Sequence, residues 1–570
     1  MPPEKRWLDP PPLTAEAEHE LQGYPWVLRQ ILSNRGYTSQ AAAQQFLDAL
    51  PPPGTEPENM LGIPQAVDRL EFALDHAEPV AIYGDYDADG VTATALLVQF
   101  LGQLGANVRG YIPNRFDEGY GLNTDALSSL KEQGTRLVIT VDCGIRSPVE
   151  ADHAQKIGLD LIITDHHHPL GAVPPALSVI NPKQPGDSYP DKNLAGVGLA
   201  YKLAAGFLNH LGKKHLVLDS PLVADDFLDL VALGTISDLA PLKGENRALV
   251  KAGLQSIRQP HRQGLAALIG VSGLIAQNVS ASDISFTLGP RLNAAGRLDS
   301  ALAAFDLLIS TDLYQAGELA QKLENQNRER QDITRQALAR AEALAEPAQT
   351  DQLLLFAADP EFNPGIVGLV ASRLTELYYR PSVVAHFGPE YTRASCRSIP
   401  EFHITDALDD CADLLEHHGG HAAAAGFTVR NDRLPELIMR LQQVASRQLS
   451  TLDLRPTLQA DVEIPLHELK PAILEILEQL QPTGNGNPPA FFLSRGLKIQ
   501  RSKVVGKDNA HLKLTVTDGR ITYDAIGFRL GHWFENMPPF VDLIYTYEMN
   551  EFNGNKTLQL NLRDLKPAQS

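Results

Sequence analysis

Thiols are scarce in this chain. Cys143, Cys396 and Cys411 are the only cysteines in 570 residues, and none is spaced as CxxC. A disulfide framework and a thiolate zinc ribbon are therefore excluded. No uninterrupted apolar run reaches the roughly 18 residues of a membrane span, and the start, Met-Pro-Pro-Glu-Lys-Arg-Trp7, lacks the apolar segment of a secretion signal. The expectation is a soluble, cytoplasmic protein with no membrane partner. The absence of a GxxxxGK[ST] loop removes a helicase. Basic residues are also in deficit: 49 Lys and Arg face 69 Asp and Glu, a net charge of -20. At face value that argues against a nucleic-acid partner, because affinity for phosphate backbones rests on Lys and Arg.

The acids themselves are patterned. Short, apolar, β-branched runs at Pro79–Tyr83, Leu137–Val141 and Leu159–Thr164 read as strands of a parallel sheet buried on both faces. Each stops where acids begin: Asp85-Tyr-Asp87-Ala-Asp89-Gly, then Asp142-Cys-Gly, then Asp165-His166-His167-His168. A fourth apolar stretch, Leu233-Gly-Thr-Ile-Ser, ends on Asp238 in the same way. Open α/β sheets gather ligands outside the carboxyl ends of their strands, so these residues converge. Carboxylates packed that closely repel and take up protons unless divalent cations hold them ionised. An EF-hand is excluded, since the twelfth position counted from Asp85 is Leu96 and not Glu.

Those four motifs resemble the DHH phosphoesterase superfamily. Further stretches resemble its bacterial single-strand exonucleases: Arg115–Leu122, Gly289–Arg297, Gly365–Arg373, Gly419–Gly426 and Gly484–Pro488, so the likeness runs from about residue 60 to the end. Asn363, Ser237 and Asn485 depart from the usual His, Ala and Glu, and none of them is a proposed metal ligand. The resemblance implies a two-metal site in which Asp89, Asp142, His166 and Asp238 hold one ion. Asp87 and Asp142, helped by Asp85, hold the other, with Asp142 bridging. Mn2+ or Mg2+ suits carboxylates with one imidazole, manganese being the first choice. His167 is expected to contact phosphate or to assist the leaving oxygen, while Asp165 and His168 orient their neighbours.

The substrate side is read the same way. Arg291, Asn293 and Arg297 lie in what reads as a Gly-bounded loop, where guanidinium forks can grip phosphate. Arg373 and Arg397 are weaker candidates of that kind. Gly419 and Gly420 allow close backbone approach to a phosphate that His421 donates to; by themselves they read as a turn, and Ala422–Ala425 as a packed helix.

Punctuation divides the chain. Residues 1–60 form an N-terminal appendage with a short helix around Ala41–Leu50 and a Pro-rich link. Residues 61–310 alternate strands and helices, the DHH domain. Residues 312–346 run without proline into one long connecting helix, about 50 Å at about 1.5 Å per residue, stopped by Pro347. Its Asn325–Asp332 middle is polar all round and reads as partly exposed between domains. A second, smaller α/β domain with the Gly-Gly-His follows over 349–452. Short alternating strands over 453–570 suggest an OB-fold β-barrel for single strands. Between Arg495 and Arg529 the charge deficit reverses: Arg495, Lys498, Arg501, Lys503, Lys507, Lys513, Arg520 and Arg529 face only Asp508, Asp518 and Asp524. Phe491, Phe492, Tyr523 and Phe528 are candidates to stack bases, with core packing the expected role for most of them.

The function implied is a metal-dependent exonuclease acting 5′ to 3′ on single-stranded DNA, in repair and recombination. It would release 5′-mononucleotides and admit the strand, but not duplex, through a narrow cleft between the two α/β domains. It would work as a monomer, with a single-strand-binding protein and a DNA helicase as partners. The alternatives are a phosphodiesterase for short oligonucleotides or cyclic dinucleotides, and a non-catalytic single-strand-binding factor on the same fold.

Overall fold

The structure is a computed structural model that describes residues 3–114, 121–214, 222–345, 352–552 and 555–568. Arg115–Tyr120 of the Arg115–Leu122 stretch, and Pro347, lie outside the described residues. The chain divides into two compact units: Tyr37–Asn327 with Leu477–Pro489, and Met1–Gly36 with Arg328–Ile476 and Ala490–Ser570.

The first unit is built on a five-stranded, all-parallel sheet in the order Val108–Tyr111, Val80–Gly84, Leu137–Val141, Asp160–Thr164, Ser178–Ile180. Side chains alternate between two apolar faces, as a doubly covered sheet requires. Val80, Ile82, Leu137 and Ile139 enter one core with the Ala88–Gln103 helix, while Ala81, Tyr83 and Val138 enter another with Leu127 and Ala151. Register then places the acids. Gly84 pairs with Val141 and Val141 with Thr164, so the three central strands end level and the next residues are Asp85, Asp142 and Asp165.

Beyond Ile180 this unit is helical, so the alternation of strands and helices stops well short of residue 310. The Leu228–Ser237 stretch that delivers Asp238 is one of those helices. Every residue from Leu228 to Ile236 is buried, which leaves neither a helical stripe nor β alternation to read. Gly289–Leu298, expected as a loop, is a helix as well. Its glycines answer to packing: a Cβ on Gly289 would sit 2.5 Å from Ser237 Oγ, and one on Gly296 would sit 2.6 Å from the Tyr86 carbonyl.

Leu477–Pro489 joins this unit through Arg247, which is 1% exposed. Nε of Arg247 donates to the Phe46 carbonyl at 2.9 Å. Nη1 donates to Leu480 and Pro482 at 3.0 and 3.1 Å, and Nη2 to Gln479 and Gln481 at 3.2 and 2.8 Å. In the same segment Asn485 Nδ2 donates to the Leu239 carbonyl, next to Asp238, and the Asn485 carbonyl accepts from Leu242 N–H at 2.8 Å.

The second unit holds a five-stranded mixed sheet, in the order Leu415–His421, Ala424–Arg430, Tyr391–Arg397, Ser382–Phe387, Leu355–Asp359, only the last pair being parallel. It also holds a closed five-strand barrel in which Phe492–Val505, His511–Thr517, Thr522–Gly527, Asn555–Pro567 and Phe540–Phe552 pair in turn. Phe540–Phe552 returns to Phe492–Val505. This is the OB fold expected from the alternating strands, with Val462–Glu463 added in parallel at one edge.

The N-terminal region carries three helices, Ala15–Glu20, Trp26–Asn34 and Gln40–Asp48, where one was expected. It is tied in: Arg6–Leu8 pairs in parallel with Thr457–Gln459, and Trp7 Nε1 donates to Asp564 at 2.7 Å. The long helix runs Leu313–Ala345, 33 residues. Its polar middle is partly exposed, as expected: Asn325, Arg328, Glu329, Gln331 and Asp332 are exposed, while Asn327 is buried. Among the described residues no helix is long and apolar enough to cross a membrane.

Candidate metal centre

Four different backbone devices aim the acids. Asp87 caps the Ala88–Gln103 helix, its Oδ1 accepting from the N–H groups of Asp89 and Gly90 at 2.9 and 3.1 Å. Asp89, in the first turn of that helix, is 1% exposed and accepts from Gly196 N–H at 2.6 Å and Val197 N–H at 2.8 Å, the first amides of the Gly196–Lys213 helix. Asp142 leaves its strand with φ +61°. Gly196 lies against it, where a Cβ would come within 2.7 Å of the Asp142 Cβ. Asp238 sits at the C-terminal cap of its helix.

The side chains converge into overlapping groups whose potential ligand atoms all lie within 4.8 Å of one another: Asp85, Asp87 and Asp142; Asp142, His166 and His167; Asp89, His166 and Asp238. His166 Nε2 is 3.0 Å from Asp142 Oδ1 and 3.9 Å from both Asp89 Oδ2 and Asp238 Oδ2. The short pair is not a hydrogen bond. Asp142 Oδ1 and His166 Nε2 are both buried without a hydrogen-bond partner.

Burial first, and the neighbouring acids next, push Asp142 well above the carboxylate range, Asp89 up to about 7 and Asp238 up to about 9. Burial first, then His167, pushes His166 down to about 3, which leaves it the neutral imidazole a cation needs. Two orphaned donors of electron density, surrounded by carboxylates that cannot all stay ionised alone, fit divalent cations and no thiolate metal.

Asp165 serves a different purpose. Burial would raise it, but the His167 ring and the amides of His167 and Ile145 outweigh burial and hold it below its ordinary value. His167 Nδ1 lies 2.8 Å from Asp165 Oδ1. A carboxylate partner assigns the proton to Nδ1 and makes Nε2 the acceptor.

The remaining candidates have varied surroundings. Arg291 is paired with Glu324 at 2.7 Å and donates to the Thr287 carbonyl at 2.7 Å. Asn293 Oδ1 accepts from Ala88 N–H at 2.8 Å, bracing the helix whose cap is Asp87. Arg297 is half-buried on the same helix. In the second unit Arg373 is half exposed and pairs with Glu376 at 2.7 Å. Arg397 donates to Ser395 Oγ at 3.0 Å and to the Cys396 carbonyl at 2.8 Å. Gly419, Gly420 and His421 form the end of a strand, paired with Gly426, Ala425 and Ala424, so neither the turn nor the alanine helix that the bare sequence suggests is present. His421 is exposed there.

On the barrel, Phe492 and Tyr523 are core residues, whereas Phe528 is 57% exposed, edge-on to His511 at 5.3 Å. Lys503 and Lys513 face each other across adjacent strands. Arg495 is bound instead by Glu463, Asp9 and Asp542.

Several residues around the metal centre carry no motif of their own. The Gly196 and Val197 amides that hold Asp89 are invisible to side-chain patterns.

Comparison with known proteins finds three family models along the chain. Residues 79–235 match the DHH family, N-terminal domain, residues 351–448 the DHHA1 domain, and residues 460–564 the RecJ OB domain. The single-stranded-DNA-specific exonuclease RecJ of Bacillus subtilis (strain 168) is 37% identical over 542 residues, covering 94% of this chain and 67% of that protein. The crystal structure of RecJ in complex with Mn2+ from Thermus thermophilus superposes with a TM-score of 0.84 at 30% identity, over 99% of this chain and 80% of that one. The corresponding Mg2+ complex gives 0.79 at 29% identity, over 99% and 79%.

Proposed function

Because the chain belongs to the RecJ family of single-stranded-DNA-specific exonucleases, we propose that it hydrolyses single-stranded DNA from the 5′ end to 5′-mononucleotides at two Mn2+ or Mg2+ ions. The observation that carries this reading is the pair of orphaned atoms, Asp142 Oδ1 and His166 Nε2, at the meeting point of three ligand groups. Asp142 belongs to two of those groups and is the shared ligand. Asp89, His166 and Asp238 complete one position, and Asp87 with Asp85 the other. Bound there, two divalent ions supply Lewis acidity and charge stabilisation at phosphorus.

The chain's own residues do the rest. The Gly196 and Val197 amides fix Asp89, and Asp165 fixes the His167 ring. His167 Nε2, once it carries a proton, is then the donor that meets a substrate phosphate or the leaving oxygen. Arg291 and Asn293 brace the wall of the site. Arg297, Arg373, Arg397 and the Gly419-Gly420-His421 strand are further phosphate contacts in this reading, with the Lys503, Lys513 and Phe528 face of the barrel as a platform for the strand. A cytoplasmic monomer of this kind takes its strand from a DNA helicase and shares it with a single-strand-binding protein, since duplex must be opened and kept open first.

The test is degradation of a long single strand labelled separately at each end, with Mn2+, with chelator and with Asp142→Ala. Early release of labelled mononucleotide from the 5′ end, lost on chelation and mutation, is the expected result. Cleavage of dinucleotides with survival of the long strand selects the small-substrate phosphodiesterase. Binding without cleavage of either substrate selects the single-strand-binding factor.

A further inference from the structure

Behind the histidine triplet, each successive carbonyl is met by a side-chain donor from another part of the first unit. Lys183 Nζ donates to the His166 carbonyl, Asn181 Nδ2 to that of His167 at 2.9 Å, and Arg146 Nε to that of His168 at 2.9 Å. Asn181 is fully buried, and its Oδ1 accepts from Lys183 N–H at 2.8 Å, so these two donors are locked to each other. They follow the Ser178–Ile180 strand, whereas Arg146 follows Leu137–Val141. Asp165–His168 itself belongs to no helix or strand. Backbone of that kind keeps a fixed course only where its polar groups are satisfied from outside.

We propose that Asn181, Lys183 and Arg146 are positioning residues that clamp the His166–His168 backbone from behind, so that His166 Nε2 is held against Asp142 and His167 against Asp165. The proposal rests on the two-metal reading above and adds to it residues that no acidic motif marks. Ligating histidines depend on outer hydrogen bonds for their orientation, and loss of such partners commonly weakens metal binding about 10- to 100-fold. Here the outer bonds go to the backbone of the ligand rather than to its ring.

Charge gives two of the clamp residues a second purpose. Asp85, Asp87, Asp89, Asp142, Asp165 and Asp238 crowd one region, and two divalent ions leave two of their negative charges unopposed. Lys183 and Arg146 bring two positive charges without occupying a ligand atom. A neutral donor at 183 would make the carbonyl bond but not this contribution, so Lys183→Arg preserves both effects and Lys183→Gln only the bond.

Mn2+ binding to the full-length chain, followed by the paramagnetic resonance of free Mn2+, tests the clamp without reference to turnover. Lys183→Met and Asn181→Asp, which puts an acceptor where a donor stands, are each expected to weaken Mn2+ about tenfold or more. Lys183→Arg is expected to stay close to the native affinity and, chelated, to melt with the native chain, with the affinity of Lys183→Gln between. Native Mn2+ affinity in both Lys183→Met and Asn181→Asp overturns the clamp. A native chain that binds no Mn2+ overturns the metal reading instead. If Lys183→Met fails to fold, Asn181→Asp and Arg146→Gln carry the comparison, and native affinity in both overturns the proposal.

Discussion

Asp142 Oδ1 and His166 Nε2 lie 3.0 Å apart, both buried, with no hydrogen bond between them. A charged imidazole would turn this into an ion pair, but burial and His167 push His166 down to about 3. Two lone pairs therefore point at one position. Replacing Asp142 by Ala is expected to lower kcat on single-stranded DNA about a thousandfold or more, the several kcal/mol that Lewis-acid stabilisation supplies. In chelator, Asp142→Asn is expected to melt above the native chain, because it removes a carboxyl that burial, and then four other aspartates, force to take up a proton on folding. A lower melting point in chelator contradicts this.

The pH dependence of the metal-free chain has a definite sign. Burial and neighbouring acids raise Asp89 to about 7 and Asp238 to about 9. The folded state thus holds protons that the unfolded state releases. This contribution to stability is complete below the ordinary value of 3.8 and is lost as pH rises through about 7 and about 9. Thermal melts in chelator at two pH values spanning that window should show the native chain losing more stability than Asp238→Asn. Equal losses would sink the argument. Saturating Mn2+ should flatten the native profile.

Asn293 offers a test remote from ligand chemistry. Its bond to Ala88 N–H anchors the start of the helix capped by Asp87. Asn293→Leu is expected to cost about 1 kcal/mol of stability, the ordinary value of one hydrogen bond, and to raise the Mn2+ concentration for half-maximal activity. Unchanged Mn2+ dependence would reduce Asn293 to a local cap.

Phe528 separates strand binding from chemistry. An exposed ring beside His511 is expected to contribute about 1 kcal/mol or more by stacking a base. Phe528→Ala should raise KM for a long single strand several-fold and leave kcat unchanged, with Phe528→Trp restoring the native KM. Loss of kcat with unchanged KM would place the ring elsewhere in the cycle.

Much of the candidate metal centre, the clustering of its acids, was legible because the strands announce themselves. Apolar β-branched runs that stop at acids needed only equal strand lengths to bring Asp85, Asp142 and Asp165 level, and the register provides that. The stretch before Asp238 misled because a helix buried on every side loses its stripe. Gly289 and Gly296 read as loop residues, although they are small so that a helix can lie on Ser237 and Tyr86. Gly419 and Gly420 read as a turn for the same reason, since a local rule does not see a partner strand at Ala424–Arg430. The clamp on the histidine triplet stayed hidden because it is made to carbonyls, which every residue has.

Arg247 sets an order on the making of this protein. Its guanidinium is enclosed by the carbonyls of Gln479, Leu480, Gln481 and Pro482, and Asn485 from the same segment supports the turn after Asp238. A ribosome releases the acids early and these partners late, after the whole second α/β sheet has emerged. Until then the guanidinium lacks four of its carbonyl partners. The unit that carries the acidic cluster is thus completed only when the barrel region is being synthesised.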